Sequence, residues 1–261
     1  MNDEQLEITF LGTGTSQGVP VITCDCEVCS SVDPKDNRLR SSIAIKKGNT
    51  QIVIDSGPDF RQQMLRAKIE QLDALVFTHA HKDHIAGMDD VRAYNFRAQK
   101  PMKIYCDDLV FENLKREYHY VFDDEFRYPG IPQIERFEIH RNRDFAVGNM
   151  LLTPIEVMHY RLPVLAYRVG NFTYITDANF ISEEEKKKME GTEILVVNAL
   201  RKEKHISHFN LEEALSLIRE IKPKKSYLTH ISHLMGKHKE VSKELPDNVE
   251  IAYDGLVVKS T

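Results

Sequence analysis

The stretch "VFTHAHKDHIAG" (76–87) carries three histidines and an aspartate within six positions, His79 to His84, and it follows the apolar run "LDALVF". Imidazole and carboxylate groups are costly to bury without partners. A chain that concentrates them at the end of a buried strand must therefore deliver them to a rim where they are satisfied together. Residues two apart on an extended segment share a face, so His79 and His81 point the same way and can grip one ion. Asp83 and His84 follow as the chain turns toward a helix and reach a second position. Such nitrogen and oxygen sets suit borderline ions such as zinc, manganese or iron(II). Further ligands must come from elsewhere. Three candidates close strand-like runs: His159 ends "PIEVMH", Asp177 ends "FTYITD" and His230 ends "KSYLTH". The fold must gather these strand ends on one side.

The remaining pattern supplies the strands. "LEITFLG" (6–12), "SIAIKK" (42–47), "QIVIDSG" (51–57) and "ALVFTH" (74–79) read as strands, as do 151–159, 164–170, 172–178, 193–200 and 225–230. Their β-branched residues and the glycine-containing turns that follow carry the assignment. Segments 58–67, 89–98 and 108–118 have helical spacing, and "ISEEEKKKME" (181–190) is an exposed helix with a solvated charge run. "NLEEALSLIREIKP" (210–223) is the clearest amphipathic helix, with Asn210 as N-cap and Pro223 past its end. Segment 249–258 reads as a hairpin closing a sheet. No repeat or linker divides the chain, so a single domain over 1–261 is expected, of α+β class, with two mixed β-sheets flanked by helices.

Net charge is −5, which argues against nucleic acid or an acidic membrane surface as partner. No apolar run reaches the roughly 20 residues of a membrane span. "MNDEQLEITF" has neither the basic nor the apolar region of a secretory signal. The expected location is cytoplasmic. There a cluster of thiols is a metal site before it is a disulfide framework. Three of the four cysteines, Cys24, Cys26 and Cys29, fall in "TCDCEVC". Three thiolates need a fourth ligand to close a tetrahedral zinc site, and His233, three residues beyond His230 in "THISHLMGKH", is the candidate. Cys106 reads as a small buried hydrophobe.

Taken in order, "HAHKDH", His159, Asp177 and His230 resemble the metallo-β-lactamase superfamily, which folds as an αββα sandwich. The resemblance implies a dinuclear site: His79, His81 and His159 around one ion, Asp83, His84 and His230 around the other, and Asp177 bridging. Asp55 would support the ligands without being one. Asp83, His84 and the bridging aspartate match the phosphodiesterase and nuclease branches and depart from β-lactamases proper. "GTGTSQGVP" (12–20), the cysteine triplet and the His230/His233 pair narrow the likeness to the PhnP-type phosphodiesterases, which act on phosphoribosyl cyclic phosphate. No segment resembles the long arm of the tRNA 3′-processing nucleases.

The implied activity is hydrolysis of a cyclic or small phosphodiester, with two divalent ions (manganese or zinc), one structural zinc, and a homodimer expected from the family. Paired ions lower the pKa of a shared water and stabilise attacking and leaving oxygens. Asp83 would orient the attacking water while also ligating. His208, which precedes the amphipathic helix in "HISHFNLEEAL", would protonate the leaving alkoxide, with His205 the competing position. The "GTGTSQG" glycines could bring backbone N–H groups to a phosphate, and Tyr160 and Arg161 follow His159 toward substrate. His119, His140 and His238 read as surface residues. Two rival readings remain: an oxidoreductase or cofactor-biosynthesis protein of the pyrroloquinoline quinone type, with iron, and a metal-binding protein without turnover.

Overall fold

The computed structural model describes residues 5–123, 125 and 128–260. In chain order its strands are β1 (Leu6–Gly12), β2 (Ser42–Lys47), β3 (Thr50–Ile54), β4 (Ala74–Val76), β5 (Met102–Cys106), β6 (Ile134–Glu138), β7 (Phe145–Val147), β8 (Met150–His159), β9 (Leu162–Val169), β10 (Phe172–Tyr174), β11 (Ile194–Asn198), β12 (Lys225–Thr229), β13 (Val249–Ile251) and β14 (Val257–Ser260). They form two seven-stranded sheets, ordered β14-β1-β2-β3-β4-β5-β6 and β13-β12-β11-β10-β9-β8-β7. The first sheet is antiparallel from β14 to β3 and parallel from β3 to β6. The second is antiparallel from β7 to β10 and parallel from β10 to β13. The expected α+β sandwich of two mixed sheets is present.

Period-two alternation explains the layering. Ile52 and Ile54 enter the core between the sheets, while Val53 faces outward under helices. Val196 likewise points inward between Leu195 and Val197, which face the other way. Both faces of these strands are thus covered. On the first sheet the cover includes α1 (Phe60–Ala67), through Phe60 and Met64, and α4 (Asp108–Glu117), through Val110 and Leu114. Between them in the chain lie α2 (Lys82–Ile85) and α3 (Arg92–Ala98), and α5 (His119–Phe122) follows α4. On the second sheet the cover is α7 (Leu211–Ile221), through Ala214, Leu217 and Ile218. The short α6 (Glu183–Lys187) precedes it and buries no residue, as its charge run implies, and α8 (His238–Val241) comes last.

Helix α7 starts as the sequence indicates. Asn210 accepts from the Glu213 backbone and Glu213 from the Asn210 backbone, a reciprocal cap. The terminal segment differs from expectation. Residues 249–258 do not pair as a hairpin: β13 joins β12 in one sheet and β14 joins β1 in the other. The last strands therefore tie the two sheets together. β5, β6 and β7 carry no clear alternation, and the sequence pattern does not mark them as strands. The segment 89–98 splits into a 3₁₀ turn, Met88–Val91, and α3.

Candidate metal centre

The chain leaves β3, β4, β8, β10 and β12 toward the same rim of the sandwich. Each exit carries a polar residue where the hydrogen-bonded ladder stops. After β4 the backbone runs extended through Thr78 to His79 and His81, then enters α2, whose single turn presents Asp83 and His84. His159 ends β8, Asp177 follows β10 and His230 follows β12. Asp55, Asp177, His230 and Tyr160 all have left-handed backbones, with φ of 65°, 56°, 56° and 59°. Non-glycine residues pay about 1–3 kcal/mol for sparsely populated backbone regions, and such residues cluster at functional sites.

The donor atoms fall into two sets. His79, His81 and His159 bring one nitrogen each within 4.8 Å of one another, and Asp83, His84, Asp177 and His230 likewise bring together two carboxylate oxygens and two ring nitrogens. His79 Nε2 is 3.0 Å from His81 Nδ1. His84 Nε2 is 3.1 Å from Asp83 Oδ2 and 3.2 Å from Asp177 Oδ2, and His230 Nε2 is 3.3 Å from Asp177 Oδ1. Zinc–nitrogen bonds of about 2.0–2.1 Å in tetrahedral geometry place neighbouring donors about 3.3 Å apart. The observed spacings lie on that edge length.

His84 supplies the sharpest test of fit. Its Nδ1 is 2.7 Å from Asp55 Oδ2. An ionised carboxylate only accepts, so this nitrogen carries the hydrogen. The opposite nitrogen, Nε2, is buried with no hydrogen-bond partner, yet faces two carboxylates. A lone pair aimed at two anions is repulsive unless positive charge stands between them. Without a metal, burial opposes protonation of His84, but Asp83, Asp177 and Asp55 together hold it well above the ordinary imidazole range. A divalent cation satisfies the same geometry with neutral imidazole. Burial keeps His79 well below its usual range, lowers His159, and pushes His230 down to about 4. These are neutral ligands ready for a cation. Asp177 is held well below the carboxylate range: burial acts against this, and His230 and His84 prevail.

Supporting contacts fix the ring orientations. Asp55 accepts from the Thr78 backbone and hydroxyl, both at 2.8 Å, and Thr78 Oγ1 lies 3.0 Å from His79 Nδ1. His159 Nδ1 donates to the Ser207 carbonyl at 2.8 Å. Asn198 at the end of β11 holds the backbone on both sides of Ala178, beside Asp177. Thr78, Ser207 and Asn198 were not visible in the sequence, because small polar residues near strand ends carry no distinctive signal. His208 is buried, with Nε2 3.1 Å from Asp177 Oδ1. His159, Asp177 and His208 form a third compact set, overlapping the other two. His81 is exposed and marks the open side, where Tyr160, 47% exposed, carries the Arg161 guanidinium 5.1 Å from its ring.

A separate group lies beyond the rim. The Cys24, Cys26 and Cys29 sulfurs are 3.3, 3.4 and 3.5 Å from His233 Nδ1, and all four donors are mutually close. Zinc–sulfur bonds of about 2.3 Å predict a sulfur–nitrogen edge of about 3.6 Å. The three thiols are unpaired with one another as disulfides. The residues fit a tetrahedral zinc.

In "GTGTSQG" the backbone N–H groups of Thr13, Gly14, Thr15 and Gly18 donate within the protein and are not open to a phosphate; Ser16 and Gln17 form the exposed tip of the loop. Gly12 is needed for close packing, since a Cβ there would stand 1.9 Å from the Arg40 carbonyl oxygen. His119 and His140 are exposed, whereas His238 is buried against Arg38. Cys106 is fully buried, as expected.

Two covered sheets with a histidine- and aspartate-lined rim define a class of sandwich with a potential metal centre, and the chain belongs to the beta-lactamase superfamily: residues 50–231 match the model of the beta-lactamase superfamily domain. The chain is similar to a crystal structure described as a new diphosphatase from the PhnP family, with 36% identity, TM-score 0.92, and coverage of 98% of this chain and 97% of that one. It is also 38% identical over 249 residues to a protein named octanoyltransferase from Porphyromonas gingivalis, matching 95% of this chain but 50% of that protein. The chain thus spans half the length of that relative. Zinc-bound PqqB from Methylobacterium extorquens shares the fold, at 20% identity, TM-score 0.76 and coverage of 97% and 99%. No helix among the described residues is long and apolar enough to cross a membrane.

Proposed function

We propose that this protein is a metal-dependent phosphodiesterase of the PhnP type that hydrolyses a cyclic or small phosphodiester. The observation that carries the reading is the pair of donor sets joined through Asp177, with the unpartnered His84 nitrogen aimed between Asp83 and Asp177. His79, His81 and His159 would hold one divalent ion. Asp83, His84 and His230 would hold the second, with Asp177 between them. Cys24, Cys26, Cys29 and His233 would hold a structural zinc. Paired ions at such a site supply charge neutralisation for phosphoryl oxygens and a water of lowered pKa.

The protein's own residues do the rest. Asp83 has a second carboxylate oxygen with which to accept a hydrogen bond from the attacking water and aim it at phosphorus. His208, carrying hydrogen on both ring nitrogens, would hand its Nε2 proton to the departing alkoxide. The chain covers half of the Porphyromonas gingivalis relative, and among the described residues no cysteine stands at the rim as a nucleophile for the acyl transfer in that relative's name. Three thiols are gathered on His233, and burial pushes the Cys106 thiol to about 12.

The test is hydrolysis of bis-p-nitrophenyl phosphate by the purified protein, with metals counted on the same sample. Turnover with three metals per chain supports the reading. No turnover after loading with manganese and zinc defeats it, and iron in the sample would then favour the cofactor-biosynthesis type.

A further inference from the structure

Behind His208 lies a second histidine that the mechanism above leaves without a role. His205 Nδ1 is 3.2 Å from His208 Nδ1. The Ser207 backbone N–H donates to the same His205 nitrogen at 3.3 Å. A ring nitrogen that accepts an N–H presents its lone pair, so neutral His205 carries its hydrogen on Nε2. The close nitrogen–nitrogen contact can then work in one direction only: with hydrogen on both its ring nitrogens, His208 presents Nε2–H to Asp177 and Nδ1–H to the His205 lone pair. Ser207 Oγ lies beside the same contact, 3.0 Å from His208 Nδ1 and 3.2 Å from His205 Nδ1. On its other side the His208 ring stacks on His230, with centroids 4.9 Å apart, and turns Nε2 toward Asp177.

The loop that carries both histidines, between β11 and α7, is pinned at each end. Leu200 N donates to Phe209 O at 2.9 Å, Phe209 N to Ala178 O at 2.6 Å, and Leu211 N to Arg201 O at 2.9 Å. Asn179 Nδ2 holds the Ile206 carbonyl at 3.2 Å. His205 is therefore a fixed acceptor on a braced loop, the arrangement that keeps an acid–base group aligned. Partial burial, and then the His208 and Arg201 charges, keep its imidazole below the ordinary range, in the neutral form an acceptor requires.

We propose that His205 is a positioning residue for His208: its Nδ1 accepts the His208 Nδ1–H, sets the rotation of that ring, and so aims His208 Nε2 at the leaving oxygen of the substrate. The proposal rests on the phosphodiesterase reading. It adds a residue that acts through His208 rather than on substrate.

The experiment compares two esters with the metal-loaded protein. Bis-p-nitrophenyl phosphate expels a weakly basic phenolate that departs without a proton. A ribose 1,2-cyclic phosphate expels a sugar alkoxide that needs one. General acid catalysis contributes about 10²–10⁴-fold. His205→Ala is therefore expected to lower kcat on the cyclic ester about tenfold more than on the nitrophenyl ester, with KM and metal content unchanged. His205→Asn, whose side-chain oxygen can stand where Nδ1 stood, is expected to recover the extra loss on the cyclic ester, and His205→Gln is not. Equal losses on both esters, or rescue by glutamine and not asparagine, overturn the proposal. A second readout is independent of turnover. Nitrogen-15 spectra of the histidine rings in zinc-loaded protein should show hydrogen on His208 Nδ1 in the wild type and in His205→Asn. An unprotonated His208 Nδ1 in the wild type refutes the hydrogen bond outright. A wild type inactive on both esters instead defeats the phosphodiesterase reading, while the spectra still decide the His205–His208 contact.

Discussion

Asp55 is the residue whose removal tests most directly how the rim is held. It is fully buried and accepts from three donors: Thr78 N and Oγ1, both at 2.8 Å, and His84 Nδ1 at 2.7 Å. Thr78 and His84 are themselves buried, so solvent does not readily replace the lost acceptor. Hydrogen bonds to a charged group are worth about 1.5–3 kcal/mol each. Breaking a buried ionic partnership by removing one side typically costs about 3–5 kcal/mol, less than three full bonds because the threonine hydroxyl can rotate and water can enter the gap left by the side chain. Taking about 4 kcal/mol, and about 2–4 °C per kcal/mol for a chain of this size, Asp55→Ala should lower Tm by about 8–16 °C. His84 would also lose the bond that directs Nε2 at Asp83 and Asp177. Loss of such a supporting contact weakens metal binding about 10- to 100-fold. Thermal melts of chelated and zinc-loaded protein, with a chelator competition for affinity, measure both effects. Asp55→Asn should fall between, because the amide oxygen can still accept from His84 while its NH₂ opposes a Thr78 donor. If Asp55→Ala melts within about 2 °C of wild type and keeps its metal affinity, Asp55 does not orient His84 and the account of the rim is wrong.

Other perturbations reach different parts of the site. His208→Ala should cut turnover of the cyclic ester about 10²-fold or more with metal content intact, and full activity would remove His208 as the acid. Cys26→Ser should release one zinc and lower both solubility and Tm, since it breaks a four-donor set that ties residues 24–29 to His233; loss of one zinc without loss of stability refutes a structural role. Gly57→Ala places a Cβ 2.0 Å from the Asp83 carbonyl oxygen, which should cost about 1–3 kcal/mol as overpacking and weaken metal binding by displacing Asp83. His238 is pushed down to about 4 by burial and then by Arg38. It is neutral in the fold while an unfolded histidine titrates at about 6.5, so its contribution is present above that value and is lost as pH falls toward 4. His238→Asn should flatten the fall in stability between those limits, and an unchanged urea-denaturation profile from pH 7 to 4 would count against it.

The sequence is informative about this site because half of it is local. Four donors in six positions after an apolar run are legible without any fold. His159, Asp177 and His230 are legible because each closes a strand-like run. The supports are not. Asn198 ends a strand as plainly as Asp177 follows one, yet an asparagine there has no distinctive chemistry until its hydrogen bonds to Ala178 are seen. His205 and His208 lie three apart in one loop, and only the Ser207 N–H decides which nitrogen donates. The division of residues 249–258 between two sheets is invisible for another reason. Two short strands joined by a turn have the same local pattern whether they pair with each other or with distant partners, and the choice is made by tertiary burial.

The same topology explains why the centre stands where it does. In each sheet the antiparallel half meets the parallel half at one strand, β3 in the first and β10 in the second. The chain leaves those two strands into Asp55 and Asp177, both with left-handed backbones. No sequence repeat announces this correspondence; it exists in strand order and direction. One aspartate accepts from His84 Nδ1 and the other faces His84 Nε2, so a single imidazole is gripped by matching exits from the two sheets. Neither sheet alone supplies a complete donor set: His79, His81, Asp83 and His84 come from the first, and His159, Asp177 and His230 from the second. Bound metal must therefore stabilise the packing of one sheet on the other. Added zinc should raise the Tm of the chelated protein as a single transition, and two separable transitions, with only one responding to metal, would show that the sheets do not share the site.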